Sequence, residues 1–212
     1  MLQIKTLVFN PFQENTYLLY DETKECAIVD AGMLSAAENQ ILVDTIDQLG
    51  VRPVKLLQTH LHLDHVFGAR FVLEKYGLSP IAHVADEFLI GQTVEYARQF
   101  GVTIAENPPS LISTLADGDM VTIGNSSLEV IHLPGHSPGG IGFYQPQDKL
   151  LIVGDVLFNG SVGRSDLPGG DHNVLIKGIQ DRLMQLPDNV AVYPGHGPTT
   201  TIGQERESNP FF

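Results

Sequence analysis

The stretch Thr59-His60-Leu61-His62-Leu63-Asp64-His65 places three histidines and one aspartate within six consecutive positions. It follows the apolar run 54–58, which predicts a buried strand. If the first two histidines continue that strand in extended chain, their spacing of two residues points both imidazoles to one side. The aspartate and the last histidine then lie where the chain turns into a helix, and they face the same point from another direction. Imidazole and carboxylate groups bind zinc and iron, so the stretch predicts a metal site rather than a solvated polar loop.

The overall composition narrows the class of protein. With 212 residues, one domain spanning residues 1–212 with a substantial core is the default expectation. The formal net charge of −13 argues against a nucleic-acid partner, and no basic run indicates a membrane partner. The first six residues lack the apolar core of a signal peptide, and no apolar run is long enough to span a bilayer. We therefore expect a cytoplasmic protein that acts on a small molecule.

The single cysteine, Cys26, lies in a strand-like run and has no partner for an internal disulfide. A thiol in such a run is more often a packed core group than a nucleophile. We therefore expect Cys26 to be buried and to take no part in chemistry.

The order of predicted elements indicates the fold class. Strands are predicted over 2–9, 16–20, 26–29, 54–58, 120–123, 128–133, 141–144, 149–153 and 190–193, with a short strand after Pro80. Helices are predicted from a Ser35/Glu38 capping box to Gly50, from Val66 to Tyr76, from near Asp86 to Gly101, and between Asp171 and Pro187. Strands alternating with helices predict α/β layers, and the hairpins among them, one around Gly124-Asn125, predict mixed rather than purely parallel sheets.

Potential ligands follow four of the apolar strands. Besides the stretch after 54–58, His136 follows strand 128–133, Asp155 follows strand 149–153, and His196 follows strand 190–193. Ligand sites in α/β sheets gather at the carboxyl ends of the strands. One convergent site would therefore collect His60, His62, Asp64, His65, His136, Asp155 and His196.

Seven ligands are too many for one tetrahedral zinc. They suit two metal ions about 3.5–4 Å apart, bridged by a carboxylate and a water. Because metal binding brings the pKa of a bound water to about 7, a bridging hydroxide is available near neutral pH. The residues therefore predict a dinuclear hydrolase.

Three further histidines are not expected to be ligands. His132 lies inside a predicted strand and is interpreted as a core residue or as a support behind a ligand. His83 lies in a short strand far from any ligand run, so a structural role is expected. His172 begins a predicted helix, where it either approaches substrate or serves as a surface residue.

These motifs resemble the metallo-β-lactamase superfamily, whose His-x-His-x-Asp-His signature matches 60–65 and whose later His, Asp and His match His136, Asp155 and His196. The resemblance covers nearly the whole chain. It implies a four-layer αβ/βα sandwich with two mixed sheets and with the metals at one edge. By this likeness His60, His62 and His136 hold one metal, Asp64, His65 and His196 hold the second, and Asp155 bridges them. Asp30 matches an early Asp-x-Gly whose carboxylate would orient ligands, with capping of a turn as the alternative.

Within that superfamily the chain is most similar to short glyoxalase-II-like proteins. The resemblance rests on Pro134-Gly135-His136-Ser137-Pro138-Gly139, on Gly195-His196-Gly197-Pro198, and on Asn209-Pro210-Phe211. Gly163-Arg164-Ser165-Asp166 is shared equally with persulfide dioxygenases of the same fold. Long glyoxalase II carries a C-terminal helical domain that helps to hold glutathione. Because this chain ends 16 residues after His196 (212 − 196), we expect that domain to be missing.

The reaction implied is hydrolysis of a hydroxyacyl thioester such as S-lactoylglutathione by the bridging hydroxide. Asp64 would hold its metal and orient the hydroxide. Arg164 would contact a substrate carboxylate, unless it forms a salt bridge within its own loop. Two divalent ions are expected; zinc is the first expectation, and iron or manganese would also accept these ligands.

Several alternatives remain open at this point. A mononuclear iron persulfide dioxygenase could use His60, His136 and Asp155 as a two-histidine, one-carboxylate site. Another ester or lactone hydrolase, including a β-lactamase, is less favoured because no signal peptide is visible. The acidic charge disfavours a nuclease, and the surplus of ligands disfavours an inert metal-binding module. Metal count and oxygen uptake separate the first two reactions, while the sequence does not determine the oligomeric state.

Overall fold

Two six-stranded sheets form the centre of the protein, whose computed structural model describes residues 1–212. The first sheet contains β1 (Gln3–Phe9), β2 (Glu14–Tyr20), β3 (Glu25–Val29), β4 (Arg52–Leu57), β5 (Pro80–Ala82) and β6 (Ser113–Thr114), side by side in chain order. The second half of the chain contains β7 (Met120–Ile123), β8 (Ser126–His132), β9 (Ile141–Gln145), β10 (Leu150–Gly154), a small hairpin of β11 (Leu157–Phe158) and β12 (Ser161–Val162), β13 (Ala191–Pro194) and β14 (Thr200–Thr201). The second sheet has the order β14-β13-β10-β9-β8-β7. Both sheets combine parallel and antiparallel pairs, as predicted.

Helices cover the outer faces of the sheets. They are α1 (Ala36–Leu49), α2 (Leu63–Val66), α3 (Ala69–Tyr76), α4 (Glu87–Ile90), α5 (Thr93–Gln99), α6 (His172–Gly178) and α7 (Ile202–Ser208). A 3₁₀ turn, Val84–Asp86, precedes α4, and a π-helical turn, Ile179–Leu183, continues α6. None of these helices has both the length and the apolar character needed to cross a bilayer.

The apolar residues of the strands divide into three separate cores. Successive side chains of a strand point to opposite faces, so Leu56 packs toward the helices while Leu57 packs between the sheets. In β8, Val130 faces the space between the sheets, and Ile131 faces α6. Three apolar layers require four layers of structure around them, in the order helices, sheet, sheet, helices. This confirms the predicted α/β class and four-layer arrangement.

The start and the end of α1 follow the sequence prediction. Ser35 Oγ accepts a hydrogen bond from Glu38 N (3.2 Å), and the Glu38 carboxylate accepts one from Ser35 N (2.9 Å). Gly50 ends the helix with φ 62°, a left-handed conformation that favours glycine. Glu38 also accepts a hydrogen bond from Asn10 N (2.7 Å), which joins the helix to the β1–β2 loop.

The two middle helices were predicted as continuous, and this was wrong. The helix predicted from Val66 begins at Leu63 and is interrupted at Phe67–Gly68, because Gly68 N donates to Ala31 O (2.7 Å) in the loop after β3. The helix predicted from Asp86 to Gly101 is interrupted after α4. There the side chain of Asn107 donates to Gly91 O (3.2 Å) and accepts from Val94 N (2.9 Å), replacing helical hydrogen bonds.

Five short elements were not predicted: β6, in the stretch 102–116 that shows no clear sequence pattern, the β11–β12 hairpin, and β14 and α7, which follow His196. The last two are held by Glu205, a buried carboxylate. It accepts hydrogen bonds from Thr200 Oγ1 (2.5 Å) and Asn209 Nδ2 (2.7 Å), and also from Gly160 N (2.9 Å).

Candidate metal centre

The loops that follow β4, β8, β10 and β13 meet at one edge of the two sheets. They bring all seven predicted side chains together: His60, His62, Asp64, His65, His136, Asp155 and His196. The potential ligand atoms form overlapping groups within which all atoms lie within 4.8 Å of one another. The first sheet contributes four of these side chains and the second sheet contributes three. In this fold the predicted side chains therefore do converge at the ends of the strands.

The first half of the centre contains three histidines. His62 Nδ1 and His136 Nε2 lie 2.8 Å apart, so both ring nitrogens face the same point. His136 Nδ1 donates a hydrogen bond to the carbonyl oxygen of Arg164 (2.7 Å), which fixes the ring. His60 Nδ1 lies 3.1 Å from Thr59 Oγ1, leaving His60 Nε2 toward the centre. His60, His62 and His136 thus form one set of three nitrogen donors.

The second half combines histidine with carboxylate. His65 Nδ1 donates to Asp30 Oδ2 (3.0 Å), and His65 Nε2 lies 3.8 Å from Asp64 Oδ2. His196 Nδ1 donates to the carbonyl oxygen of Phe12 (2.9 Å), and its Nε2 lies 3.1 Å from Asp64 Oδ2. Asp64, His65 and His196 thus form a second set of donors beside the first.

Asp155 lies between the two halves. Its carboxylate oxygens are 3.6 Å from His136 Nε2 in the first half, and 3.5 Å from both His65 Nε2 and His196 Nε2 in the second. This is the position that a bridging carboxylate requires.

Buried polar atoms without partners show that the side chains fit a metal. His60 Nε2, His65 Nε2 and Asp155 Oδ1 are buried and have no hydrogen-bond partner within the protein. Groups left in this way are rare in folded proteins because their desolvation is not compensated. A cation among them would satisfy all three, so the donor set fits divalent metal ions.

The protonation states of His60, His62 and Asp155 agree with that fit. Burial, together with the charge of neighbouring His65, lowers the pKa of His60 well below its ordinary value; burial and His136 lower the pKa of His62 to about 3. Both imidazoles are therefore neutral near pH 7, which is the form that binds metal. Burial raises the pKa of Asp155, but the charge of neighbouring His65 outweighs it and holds that pKa below its ordinary value. The carboxylate therefore carries the negative charge that a cation needs. His65 and His196 differ: burial lowers their pKa values, but the carboxylates of Asp64 and Asp155 outweigh it and raise them, so these two imidazoles would lose a proton when an ion binds.

Asp30 contacts the residues of the centre without being one of the seven predicted ligands. Its carboxylate accepts hydrogen bonds from Thr59 N (2.7 Å), Thr59 Oγ1 (2.7 Å) and His65 Nδ1 (3.0 Å). Because the Thr59 hydroxyl donates to Asp30, its oxygen is left to accept from His60 Nδ1. One carboxylate thus orients His65 directly and His60 through Thr59, and it also caps the start of the ligand loop. Asp30 has φ 55°, a conformation that is uncommon outside glycine.

Two buried acids near the centre were not identified from the sequence. Asp86 accepts hydrogen bonds from Leu61 N (3.2 Å), Ser137 Oγ (2.8 Å) and Gly139 N (2.5 Å), so it joins the loop of His60 and His62 to the loop of His136. Glu14 is fully buried 4.0 Å from His65, and burial raises its pKa well above the ordinary value. The partners of Asp86 lie 25 or more positions away, and His65 lies on a different element from Glu14, so neither contact with the centre has a local sequence signal.

The other polar groups singled out in the sequence lie outside the ligand groups. His83 and His132 stack on each other with ring centroids 4.1 Å apart, and His132 Nε2 donates to Pro138 O (2.9 Å). His172 is exposed at the start of α6. Cys26 is buried, and burial raises the pKa of its thiol to about 12, so it is not a nucleophile. Arg164 is exposed and forms two 2.7 Å hydrogen bonds with Asp166, which is the salt bridge within its own loop that was the alternative to a substrate contact.

Comparison with known proteins agrees with this architecture. The family model of the metallo-beta-lactamase superfamily matches residues 9–196, and the chain belongs to that superfamily. Its sequence is 37% identical over 217 residues to the hydroxyacylglutathione hydrolase GloC of Haemophilus influenzae, covering 99% of this chain and 98% of that protein. The predicted fold and family are therefore confirmed, and the chain is a metal-dependent hydrolase.

Two solved structures are similar over nearly their whole length. The BLEG-1 B3 metallo-beta-lactamase has a TM-score of 0.87 and 34% identity, covering 99% of both chains. The protein TTHA1623, whose structure is of a di-iron-bound form, has a TM-score of 0.88 and 38% identity, covering 98% of this chain and 100% of that one.

Proposed function

We propose that the protein is a dinuclear metallohydrolase that cleaves a hydroxyacyl thioester such as S-lactoylglutathione. The observation that carries the proposal is the double donor set with Asp155 between its halves. A mononuclear site would leave Asp64, His65 and His196 without an ion, so the metal content per chain separates the two alternatives. The similarity to a hydroxyacylglutathione hydrolase over the full chain supports a thioester as the substrate.

Each side chain has a defined task in this proposal. His60, His62 and His136 would hold one ion, Asp64, His65 and His196 would hold the other, and Asp155, which lies between the two sets, would serve both. Two divalent ions, proposed to be zinc with iron or manganese as alternatives, would supply a hydroxide nucleophile near pH 7 and polarise the substrate carbonyl. Asp64 is the proposed catalytic carboxylate. Its side chain is 15% exposed and lines the cavity above the centre, where it can accept a hydrogen bond from the attacking water.

The leaving group makes a separate acid catalyst unnecessary. A thiol has a pKa of about 8.5, so the thiolate departs readily without a proton from the protein. Arg164 is proposed as a contact for a substrate carboxylate, because it lines the same cavity. For that contact its ion pair with Asp166 must open first.

The test combines three measurements on one sample of protein purified without added metal: metal content per chain, hydrolysis of S-lactoylglutathione, and oxygen uptake with glutathione persulfide. We expect about two metal ions per chain and thioester hydrolysis without oxygen uptake. Asp155→Asn should lower the rate of hydrolysis by at least about a hundredfold, since it removes the carboxylate that lies between the two donor sets and so weakens metal binding by both. His83→Ala, which changes a histidine outside the ligand groups, should leave the rate unchanged.

Two other outcomes would replace the proposal. About one iron per chain with oxygen uptake and little hydrolysis would make the protein a persulfide dioxygenase that uses His60, His136 and Asp155. Rapid hydrolysis of a chromogenic cephalosporin with no cleavage of thioester would assign it to the β-lactamases, in line with its similarity to BLEG-1.

A further inference from the structure

The cavity over the metal centre has a volume of about 260 Å³ and two chemically different parts. Its floor is polar and consists of side chains of the centre: His62, Asp64, His136, Asp155 and His196. Its wall is apolar and includes Phe12, Leu89, Tyr96, Phe100 and Leu167. A bound molecule would therefore have its reacting group on the floor and another part against the wall.

The wall is fixed to the centre rather than being a loose surface. The carbonyl oxygen of Phe12 accepts the hydrogen bond from His196 Nδ1, so its ring is held beside a floor residue. The ring of Phe100 contacts that of Phe12 edge-on, with centroids 5.9 Å apart and an angle of 82°. Phe100 is nevertheless 50% exposed. An aromatic ring held half in solvent over a polar floor indicates a surface that an apolar ligand covers.

The cavity offers little to the glutathione part of a thioester. Arg164 is the one basic side chain other than histidine that lines it, and its guanidinium already binds Asp166. Glutathione carries two carboxylates, and a chain of net charge −13 repels them further. The cavity of about 260 Å³ has room for an acyl side group of phenyl size against its apolar wall.

We propose that the site selects its substrate by the acyl group more than by the thiol carrier, for which Arg164 is the one candidate contact, and that it prefers a 2-hydroxyacyl group with an apolar side group of about phenyl size. This inference rests on the proposed thioester hydrolysis and specifies its substrate class. The carbonyl lies on the floor, the apolar side group lies against Phe12, Phe100 and Leu167, and the thiol carrier extends toward solvent.

The experiment compares two glutathione thioesters that differ only in the acyl side group, S-lactoylglutathione and S-mandeloylglutathione, on metal-loaded protein. Each kcat/KM is divided by the hydroxide-catalysed rate of the same thioester, which removes differences in intrinsic reactivity. Burial of a phenyl group in place of a methyl group is expected to raise the corrected kcat/KM at least about tenfold. Replacing glutathione by N-acetylcysteamine in the mandeloyl thioester is expected to change it less than about threefold.

Variants connect the preference to the wall. Phe100→Ala and Leu167→Ala remove partly exposed side chains, so the fold is expected to persist, which thermal unfolding checks. Each should lower kcat/KM for the mandeloyl thioester about tenfold and for the lactoyl thioester less than threefold. Phe211→Ala is the matched control: this ring is 44% exposed and does not line the cavity, so both rates should be unchanged.

The outcomes separate this inference from the function on which it rests. Equal corrected rates for the two acyl groups, a strong dependence on glutathione, or equal losses for both thioesters in Phe100→Ala would each overturn the inference while thioester hydrolysis stands. Failure to cleave any of the thioesters would overturn both.

Discussion

At the scale of single residues, each of the four buried or half-buried histidines His60, His65, His136 and His196 has Nδ1 beside a protein oxygen. The oxygens belong to the Thr59 hydroxyl, the Asp30 carboxylate, the Arg164 carbonyl and the Phe12 carbonyl. A hydrogen bond from one ring nitrogen fixes the tautomer and turns the other nitrogen toward the metal. The rings are therefore oriented before any ion binds, which lowers the entropic cost of binding.

Asp30 contributes most to this orientation, and Asp30→Asn tests it. The amide retains one oxygen acceptor, so it cannot accept from Thr59 and His65 as the carboxylate does. We expect metal affinity to fall about 10- to 100-fold, the usual effect of changing a residue behind a ligand. A chelator competition titration measures it.

The control for that variant is Asp21→Asn. Asp21 is also buried and accepts hydrogen bonds from Thr23 N (2.9 Å), Asn125 N (2.7 Å) and Ser126 Oγ (3.0 Å), but it belongs to none of the ligand groups. Both variants should be less stable than the parent, and only Asp30→Asn should bind metal more weakly. Equal affinity in the two variants would leave Asp30 with a turn-capping role alone.

At the scale of elements, the sequence predicts a boundary well when the groups that form it are close together in the chain. The capping box of α1 joins Ser35 to Glu38, and the β7–β8 hairpin closes around Gly124-Asn125. The interruptions of the two middle helices were missed because their causes are distant: Ala31 for the break at Gly68, and Asn107 for the break after α4. A local pattern contains no information on such contacts.

A substitution in the turn of the β7–β8 hairpin tests two contributions to stability at once: the strain of a left-handed backbone and the contact of this turn with the other sheet. Gly124 has φ 57°, and a Cβ added there would overlap Thr23 Oγ1 and the Asp21 carboxylate, which belong to the turn between β2 and β3 in the other sheet. Gly124→Ala is expected to lower the free energy of unfolding by about 2–4 kcal/mol, from a left-handed backbone and a displaced contact.

Gly50→Ala separates the two contributions. Gly50 has φ 62°, and a Cβ there would meet nothing within 4 Å, so the cost is the backbone strain alone, about 1 kcal/mol. Urea unfolding of both variants measures the difference. Equal losses would mean that the turn–turn contact contributes nothing to stability.

At the scale of the whole molecule, the α/β class and the convergence of the seven donors were predictable because a repeated physical rule produces them, whereas the four-layer arrangement was predicted from the resemblance to the superfamily. Apolar strands end at one edge, and the polar residues directly after them meet there. The supporting carboxylates of Asp86 and Glu14 and the wall of Phe12 and Phe100 were not predictable. Their roles depend on which loops the two sheets bring into contact. The residues next to them in the chain form no motif that would distinguish them from ordinary core and turn residues.

The same geometry makes the centre a link between the two halves of the molecule. His60, His62, Asp64 and His65 extend from the first sheet, and His136, Asp155 and His196 extend from the second. Ions held by both sets would bind the folded chain and not the unfolded one, so they stabilise the fold by mass action. Metal at about a hundred times its dissociation constant contributes about 2.7 kcal/mol.

Removal of metal is therefore expected to lower the melting temperature by about 5–10 °C, since 1 kcal/mol corresponds to about 2–4 °C in a chain of this size. Thermal unfolding of dialysed protein, before and after chelation and again after metal is restored, measures the change. His136→Ala should lose most of the metal-dependent shift because it removes a donor contributed by the second sheet. His172→Ala, at an exposed histidine outside the centre, should keep the whole shift. If chelation removed the metal but left the melting temperature unchanged, the ions would bind the folded and the unfolded chain equally well, and the centre would not stabilise the fold.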